Sequence, residues 1–248
     1  MKFRMIRFQK FNAFMNMAID EAIMESIRAG VSLPTIRLYG WMPSAISIGF
    51  FQGLLNEVNL EACQQAGVDV VRRLTGGGAV YHDSDGEVTY SILGPVEIFP
   101  PKILDSYRVI CSDIVYALQL IGIQASFEPV NDLIVDGKKI SGNAQTRRSG
   151  VLLQHGTILY KVDVEKMFSL LNVSKEKISD KLISSVKKRV TSVEDYVSTP
   201  IQDLIEAMEK GFSRDREIVF EDYKPEELER ARQLADQKYS TKNWVGMR

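Results

Sequence analysis

At 248 residues the chain has room, at roughly 150 residues per domain, for one large domain or two small ones. Lys and Arg number 31 against 32 Asp and Glu, a formal charge of −1 that excludes the strongly basic surface of a general nucleic-acid binder. A 45% hydrophobic, 25% charged composition builds a sizeable core without disulfides. The two cysteines, Cys63 and Cys111, form no metal-type grouping, and two histidines are too few for most histidine metal sites. The N-terminal charges precede no apolar h-region, and no apolar run approaches the roughly 18 residues of a membrane span. The expectation is a cytoplasmic chain with no membrane and no nucleic-acid partner.

In chain order, residues 15–29 place Met15, Ala18, Ile19, Ala22, Ile23 and Ile27 on one helical stripe, with Gly30 to end it. Thr35–Tyr39 and Ala45–Phe51 read as strands joined by a turn at Pro43–Ser44. Asn59–Ala66 is a short helix, Val68–Leu74 a strand and Glu87–Leu93 another. Pro95–Lys102 is a stiff connection, and Ser106 caps a helix running to Ile121. Strands follow at Ala125–Pro129, Asp132–Val135, Lys138–Ser141 and Val151–Lys161. The polar Asn143–Gly150 between the last two reads as a surface loop. The rest is helix-rich and charge-dense, with Pro225 in the first turn of a late helix. With no repeat and no low-complexity linker, 1–248 is expected to be one α+β domain, about 163–248 being its helical part.

Ten of the 17 glycines and both histidines lie between Gly76 and Gly156, which is where chemistry is expected. The segment Arg72-Arg73-Leu74-Thr75-Gly76-Gly77-Gly78-Ala79-Val80-Tyr81-His82-Asp83 sets three glycines between strands. Such a loop leaves backbone N–H groups open to a phosphate or carboxylate, and Arg73 adds a charge with fork geometry. A bare triple glycine serves a flexible hairpin equally well. It matches neither a Walker loop nor a dinucleotide fingerprint.

In the second motif, from Asn131-Asp132 to Ser141-Gly142, Asp136-Gly137 is a two-residue hairpin signal. Pairing outward from that turn puts Asp132, Ile134, Lys139 and Ser141 on one face, with Asp132 and Lys139 as diagonal neighbours. Lys138 points the other way. The hairpin alone also fits two solvated lysines. Gln154-His155-Gly156-Thr157 lies inside an apolar strand, where a lone histidine is usually a satisfied core residue. Lys187-Lys188-Arg189 reads as a solvated helix face able to steer an acidic partner. Cys63 and Cys111 sit on apolar helix stripes and read as structural.

Together these motifs resemble the lipoate–protein ligase family. The resemblance runs through NMAIDEAIM, PTIRLYGW, SAISIGFFQ, RRLTGGGAVYHD, NDLIVDGKKISGNAQ, QHGTIL, SSVKKRVTSV and KYSTKNW, nearly the whole chain in order. It implies a mixed β-sheet flanked by helices, related to the catalytic domain of biotin–protein ligases. It implies two steps: lipoate and ATP give lipoyl-AMP and pyrophosphate, then the acyl group passes to a lysine of a lipoyl domain. The implied acceptors are 2-oxoacid dehydrogenase E2 proteins or a glycine-cleavage H protein.

By motif match Lys139 is the catalytic lysine, touching both the lipoate carboxyl and the α-phosphate. Arg73, Gly76, Gly77, Gly78, Ala79, Val80, Tyr81 and His82 match nucleotide-binding positions. Asn131, Asp132, Ser141 and Gly142 join them, Asp132 as a candidate ligand of a phosphate-bound Mg²⁺. His155, Gly156 and Thr157 shape the pocket wall. Val130 stands where ligases often carry an arginine, so one anion contact is expected to be missing. The chain stops just after KYSTKNW, as archaeal-type ligases do, so a separate accessory polypeptide is expected. Two other functions are open to the same fold. One is an ATP-independent octanoyl- or lipoyltransferase, whose relatives carry a cysteine nucleophile near Ser126–Asp132; this chain has none there. The other is a non-catalytic subunit that binds lipoyl-adenylate.

Overall fold

A computed structural model describes residues 1–172 and 188–248. Its strands are β1 (Lys2–Phe11), β2 (Thr35–Trp41), β3 (Ala45–Ile48), β4 (Asp69–Arg72), β5 (Val80–His82) and β6 (Glu87–Pro95), then β7 (Ser126–Glu128), β8 (Asp132–Val135), β9 (Lys138–Arg148), β10 (Val151–Leu159) and β11 (Glu217–Phe220). The helices are α1 (Ala13–Arg28), α2 (Leu54–Glu57), α3 (Leu60–Gln65), α4 (Ile103–Leu120), α5 (Val164–Leu170), α6 (Ile201–Ser213), α7 (Pro225–Leu234) and α8 (Lys242–Val245). Among the described residues, eight strands form a mixed sheet in the order β11-β1-β2-β6-β10-β9-β8-β7, and β4-β3-β5 form a smaller one. This is the α+β architecture expected, with helices on both faces of the large sheet. No helix among the described residues is long and apolar enough to cross a membrane.

Strand alternation decides what each face of the large sheet carries. Leu38, Val88, Tyr90, Ile92, Leu152 and Ile158 turn to one side, where α4 and α6 cover them with Ile110, Ile114, Leu204 and Met208. The intervening positions include Arg37, Thr89, Ser91, His155 and Thr157, all buried although polar. On that side α1 packs against part of the sheet through Ile19 and Ile23. The small sheet has its own cluster of Ile46, Ile48, Val58, Cys63 and Tyr81. The polar face is thus roofed but not filled, and the cavity lies there.

Several expectations are corrected. Helix α1 begins two residues early because Asn12 Oδ1 accepts Met15 N–H at 2.9 Å, an N-cap. Its end is as expected, with Gly30 at φ +71°. Helix α4 starts at Ile103, so Ser106 lies inside it and turns its hydroxyl back to Ile103 O rather than capping. Strand β1 has no sequence signal, since Lys and Arg interrupt its apolar residues. It is central nonetheless, because Arg4 is buried against Glu227. Strand β11 interrupts the expected helical region and pairs parallel with β1.

Residues 143–148 are strand rather than loop. Gln145 Nε2 donates to Gln154 Oε1 and Ser106 Oγ, and Arg147 donates to the Pro100 and Pro101 carbonyls. Those partners make polar residues affordable in a half-buried strand. Ser149 and Gly150, at φ +51° and +78°, turn β9 into β10.

Candidate functional site

The β8–β9 hairpin turns at Asp136 and Gly137, with φ of +50° and +74° as a two-residue turn requires. Val135 pairs with Lys138 and Ile134 with Lys139 as expected, but a bulge then shifts the register. Leu133 faces Ser141, and Asp132 faces Gly142. The extra residue swings Ser141 away from Lys139: it is fully buried, with Asn143 Nδ2 3.5 Å from its hydroxyl. The shared face expected for Ser141 and Lys139 is therefore corrected. The lysine–acid pair is present, with Lys139 Nζ 2.7 Å from Asp132 Oδ1. Lys139 lies across Gly142, where a Cβ would come within 2.8 Å of its Nζ.

Further contacts fix this hairpin. Asn131 O accepts from the Asn143 backbone at 3.0 Å and from its side chain at 2.9 Å, and Asn131 Nδ2 donates back to Asn143 O. Gly156 makes room for Asn143, since a Cβ there would fall 2.0 Å from Asn143 Oδ1. The Lys139 backbone also pairs with Arg189 O at 2.7 Å and Thr191 N at 2.9 Å. Lys188 and Arg189 thus belong to a turn leading into an extended bridge, not a helix face; Lys187 lies outside the described residues.

The triple glycine joins β4 to β5, with Gly77 at φ +97°. Arg73, 5% exposed, directs its guanidinium to Thr75 Oγ1, Ser47 O, Ser47 Oγ, Gly76 O and Gly78 O at 2.7–3.2 Å. Arg73 therefore holds the loop through its hydrogen bonds and offers an anion its charge. Its partners are all neutral oxygens, so burial lowers its pKa to about 10, and it stays cationic at neutral pH. Gly49, absent from the sequence expectations, lets β3 pass the loop: a Cβ there would lie 2.1 Å from Gly77 O. A glycine closing an apolar strand was the available signal.

Between the two sheets lies a cavity of about 330 Å³. Arg73, Lys139 and the loop at Gly77–Gly78 give it cations and backbone N–H groups. Met17, Trp41, Leu159, Val162, Met167 and Val190 give it apolar wall. Ala79, Val80, Tyr81, His82, Asn131, Gly142, His155, Gly156 and Thr157 also line it, as the sequence motifs suggest, whereas Gly76 and Ser141 do not. Asp132 reaches the cavity through Lys139. Such a lining suits an amphiphilic acid beside a phosphate.

Among the described residues no three His, Cys, Asp or Glu side chains are grouped to hold a metal. Asp132 already faces Lys139, so it suits only a cation that arrives with its own phosphate ligands. Cys63 packs under the small sheet and Cys111 in the main core, and neither lines the cavity. Burial pushes their thiols up to about 11 and about 12, so both stay protonated at neutral pH.

Comparison with known proteins gives the same architecture. Residues 12–213 match the family described as the lipoyl protein ligase A/B catalytic domain. The chain is 35% identical to octanoyltransferase LipM of Brevibacillus brevis, across 98% of each chain. It superposes with a TM-score of 0.90 and 33% identity on a chain from the structural analysis of a bi-partite lipoate protein ligase and its E2 lipoyl domain from Thermoplasma acidophilum, covering 100% of this chain and 98% of that one. A lipoate-protein ligase A bound with ATP is 30% identical, with a TM-score of 0.85 and full coverage of both chains.

Proposed function

The chain belongs to the lipoyl protein ligase A/B catalytic-domain family, and from that premise we propose that it is an ATP-dependent lipoate–protein ligase. The lipoate carboxylate attacks the α-phosphorus of ATP, the bond to pyrophosphate breaks, and lipoyl-AMP remains in the cavity. The amine of an acceptor lysine on a lipoyl domain then attacks the acyl carbonyl. AMP leaves with the electron pair of the cleaved bond, and the amine gives up a proton. Lys139 is the catalytic residue, its ammonium set where charge gathers between carboxylate and α-phosphate. Asp132 aims Lys139, the Gly77–Gly78 amides receive phosphate oxygens, and the apolar wall takes the acyl chain. Magnesium carried by the nucleotide would supply charge neutralisation, with the Asp132 carboxylate beside Lys139 to receive it.

The observation that carries this reading is the contrast between the groups at the cavity. Lys139 and Arg73 line it, while both thiols are buried elsewhere and held protonated. The second reading, an octanoyltransferase, is favoured by the function named for the Brevibacillus relative. Acyl transfer through a covalent enzyme intermediate needs a reachable thiolate, which neither cysteine supplies. The bi-partite ligase and its E2 lipoyl domain support a lipoyl-domain acceptor and a separate accessory chain as partners.

Incubation with lipoate and Mg-ATP tests this function, with expected release of pyrophosphate that depends on lipoate. ATP-independent acyl transfer from an octanoyl carrier protein, without pyrophosphate release, would reverse the order of the two readings. Gly49→Ala is expected to push the Gly77 carbonyl and weaken ATP binding about tenfold, in line with the 1–3 kcal/mol typical of overpacking. Calorimetric titration of the variant with ATP measures this, and unchanged affinity would remove the loop from the nucleotide site.

A further inference from the structure

Two buried chains of polar contacts end on the same guanidinium. In one, Glu87 Oε1 faces His82 Nδ1 at 2.7 Å and His82 Nε2 faces Ser47 Oγ at 2.8 Å. Arg73 Nη1 donates to that hydroxyl at 3.2 Å. In the other, Asp20 Oδ2 faces His155 Nδ1 at 3.5 Å and His155 Nε2 faces Thr75 Oγ1 at 2.7 Å. Arg73 Nε donates to that hydroxyl at 3.1 Å. The two chains use both histidines of the protein, and every residue in them is less than 9% exposed.

The direction of each contact follows from proton counting. A hydroxyl has one proton. Ser47 and Thr75 each accept from Arg73, and the acceptor facing each of them is an imidazole Nε2. Each ring then carries its proton on Nδ1, toward the carboxylate. Neither Asp20 Oδ2 nor His155 Nδ1 makes a hydrogen bond among the described residues, and the two face each other at 3.5 Å. Asp20 Oδ1 is held by Arg37 at 2.7 Å and Ser91 at 2.8 Å. Burial lowers the pKa of His155 despite Asp20, which keeps this ring neutral. Trp41 stacks on His82 at 4.0 Å and 16°, fixing its plane. The Trp41 indole donates to Thr89 at 2.8 Å, and Thr89 donates to Glu87 at 2.7 Å.

We propose that His82 and His155 are positioning residues: as Nδ1–H imidazoles backed by Glu87 and Asp20, they orient the Ser47 and Thr75 hydroxyls to hold Arg73, and through it the glycine loop, for a ligand phosphate. Reversing either ring would turn Nε2 into a donor. The hydroxyl oxygen would then meet two donors while its own proton lost its acceptor. The kinetic part of the test rests on the ligase reading, and the spectroscopic part does not.

Long-range ¹H–¹⁵N spectra of the full chain read both rings directly, with His82→Gln and His155→Gln used to assign the signals. At pH 7 both are expected as Nδ1–H tautomers. An Nε2–H tautomer or an imidazolium in either ring overturns the proposal. In kinetics, Ser47→Ala is expected to raise the KM for ATP about tenfold with a smaller change in kcat, and Ser47→Thr to restore it. Adding His82→Gln to Ser47→Ala should then cost nothing further, because the imidazole acts through that hydroxyl. Effects that sum in the double variant, or a Ser47→Thr chain no better than Ser47→Ala, overturn it. Absence of any ATP-dependent turnover in the unmodified chain would defeat the ligase reading alone and leave the spectra to decide.

Discussion

Lys139→Ala is expected to lower the rate of lipoate-dependent pyrophosphate release by roughly 10²–10³-fold, the usual loss when one preorganised charge or donor is removed from a transition state. Its stability should barely change, because Lys139 is 41% exposed and its ion pair with Asp132 is only partly sheltered from water. Lys138, one residue earlier, belongs to the opposite side of the strand, so Lys138→Ala should leave the rate near that of the unmodified chain. Asp132→Asn keeps the shape and removes the counter-charge, and should fall between the two. Rapid-quench measurement of lipoyl-AMP separates this from a loss in the later acyl transfer. A Lys139→Ala chain that forms lipoyl-AMP at the normal rate would remove the catalytic assignment.

Glu227→Ala should give the largest loss of stability. Glu227 receives two hydrogen bonds from Arg4, both at 2.8 Å, and the Arg4 side chain is 1% exposed. Removing the carboxylate leaves a buried guanidinium unpaired, at a cost of about 3–5 kcal/mol. For a chain of this size that corresponds to a fall in Tm of roughly 6–20 °C by scanning calorimetry. Burial alone would raise the pKa of Glu227, but bonds from Arg4, Ser32 and the Lys224 amide outweigh it and hold the group below its usual range. Its contribution is therefore fully present above about pH 4.5, the ordinary glutamate range, and is lost as pH falls through the lowered folded value. The variant should lack this part of the acid sensitivity. An unchanged Tm would show that the pair contributes no net stability.

The features legible in the sequence are those specified by neighbouring residues. Asp136-Gly137 declares its turn, and the turn alone brings Lys139 to Asp132. Gly30 ends α1, and the triple glycine marks a loop that must meet a ligand or a close neighbour. The hidden features depend on distant partners. Arg4 makes β1 look too polar for a central strand until Glu227, 223 residues away, is placed beside it. Asn143, Gln145 and Arg147 look like a loop until Tyr90 and Asn131, then Ser106 and Gln154, then the prolyl carbonyls supply their hydrogen bonds.

The bulge at Ile140 has no local signal, so Ser141 is expected on the wrong face while the lysine is placed correctly. Both histidines are visible as candidates, but Asp20, Ser47 and Glu87, which give them direction, are not. Each lies on a different element, Asp20 on α1, Ser47 on β3 and Glu87 on β6, and only the tertiary packing joins them.

The central claim is that this catalytic domain activates its acid with ATP rather than passing an acyl group through a thiol. The most direct measurement uses the Cys63→Ala/Cys111→Ala chain, supplied with lipoate, Mg-ATP, an apo lipoyl domain and a candidate accessory chain. ATP-dependent lipoylation within a few-fold of the unmodified protein is the result predicted here. Octanoyl transfer by the unmodified chain without ATP, abolished in the cysteine-free variant, would contradict it.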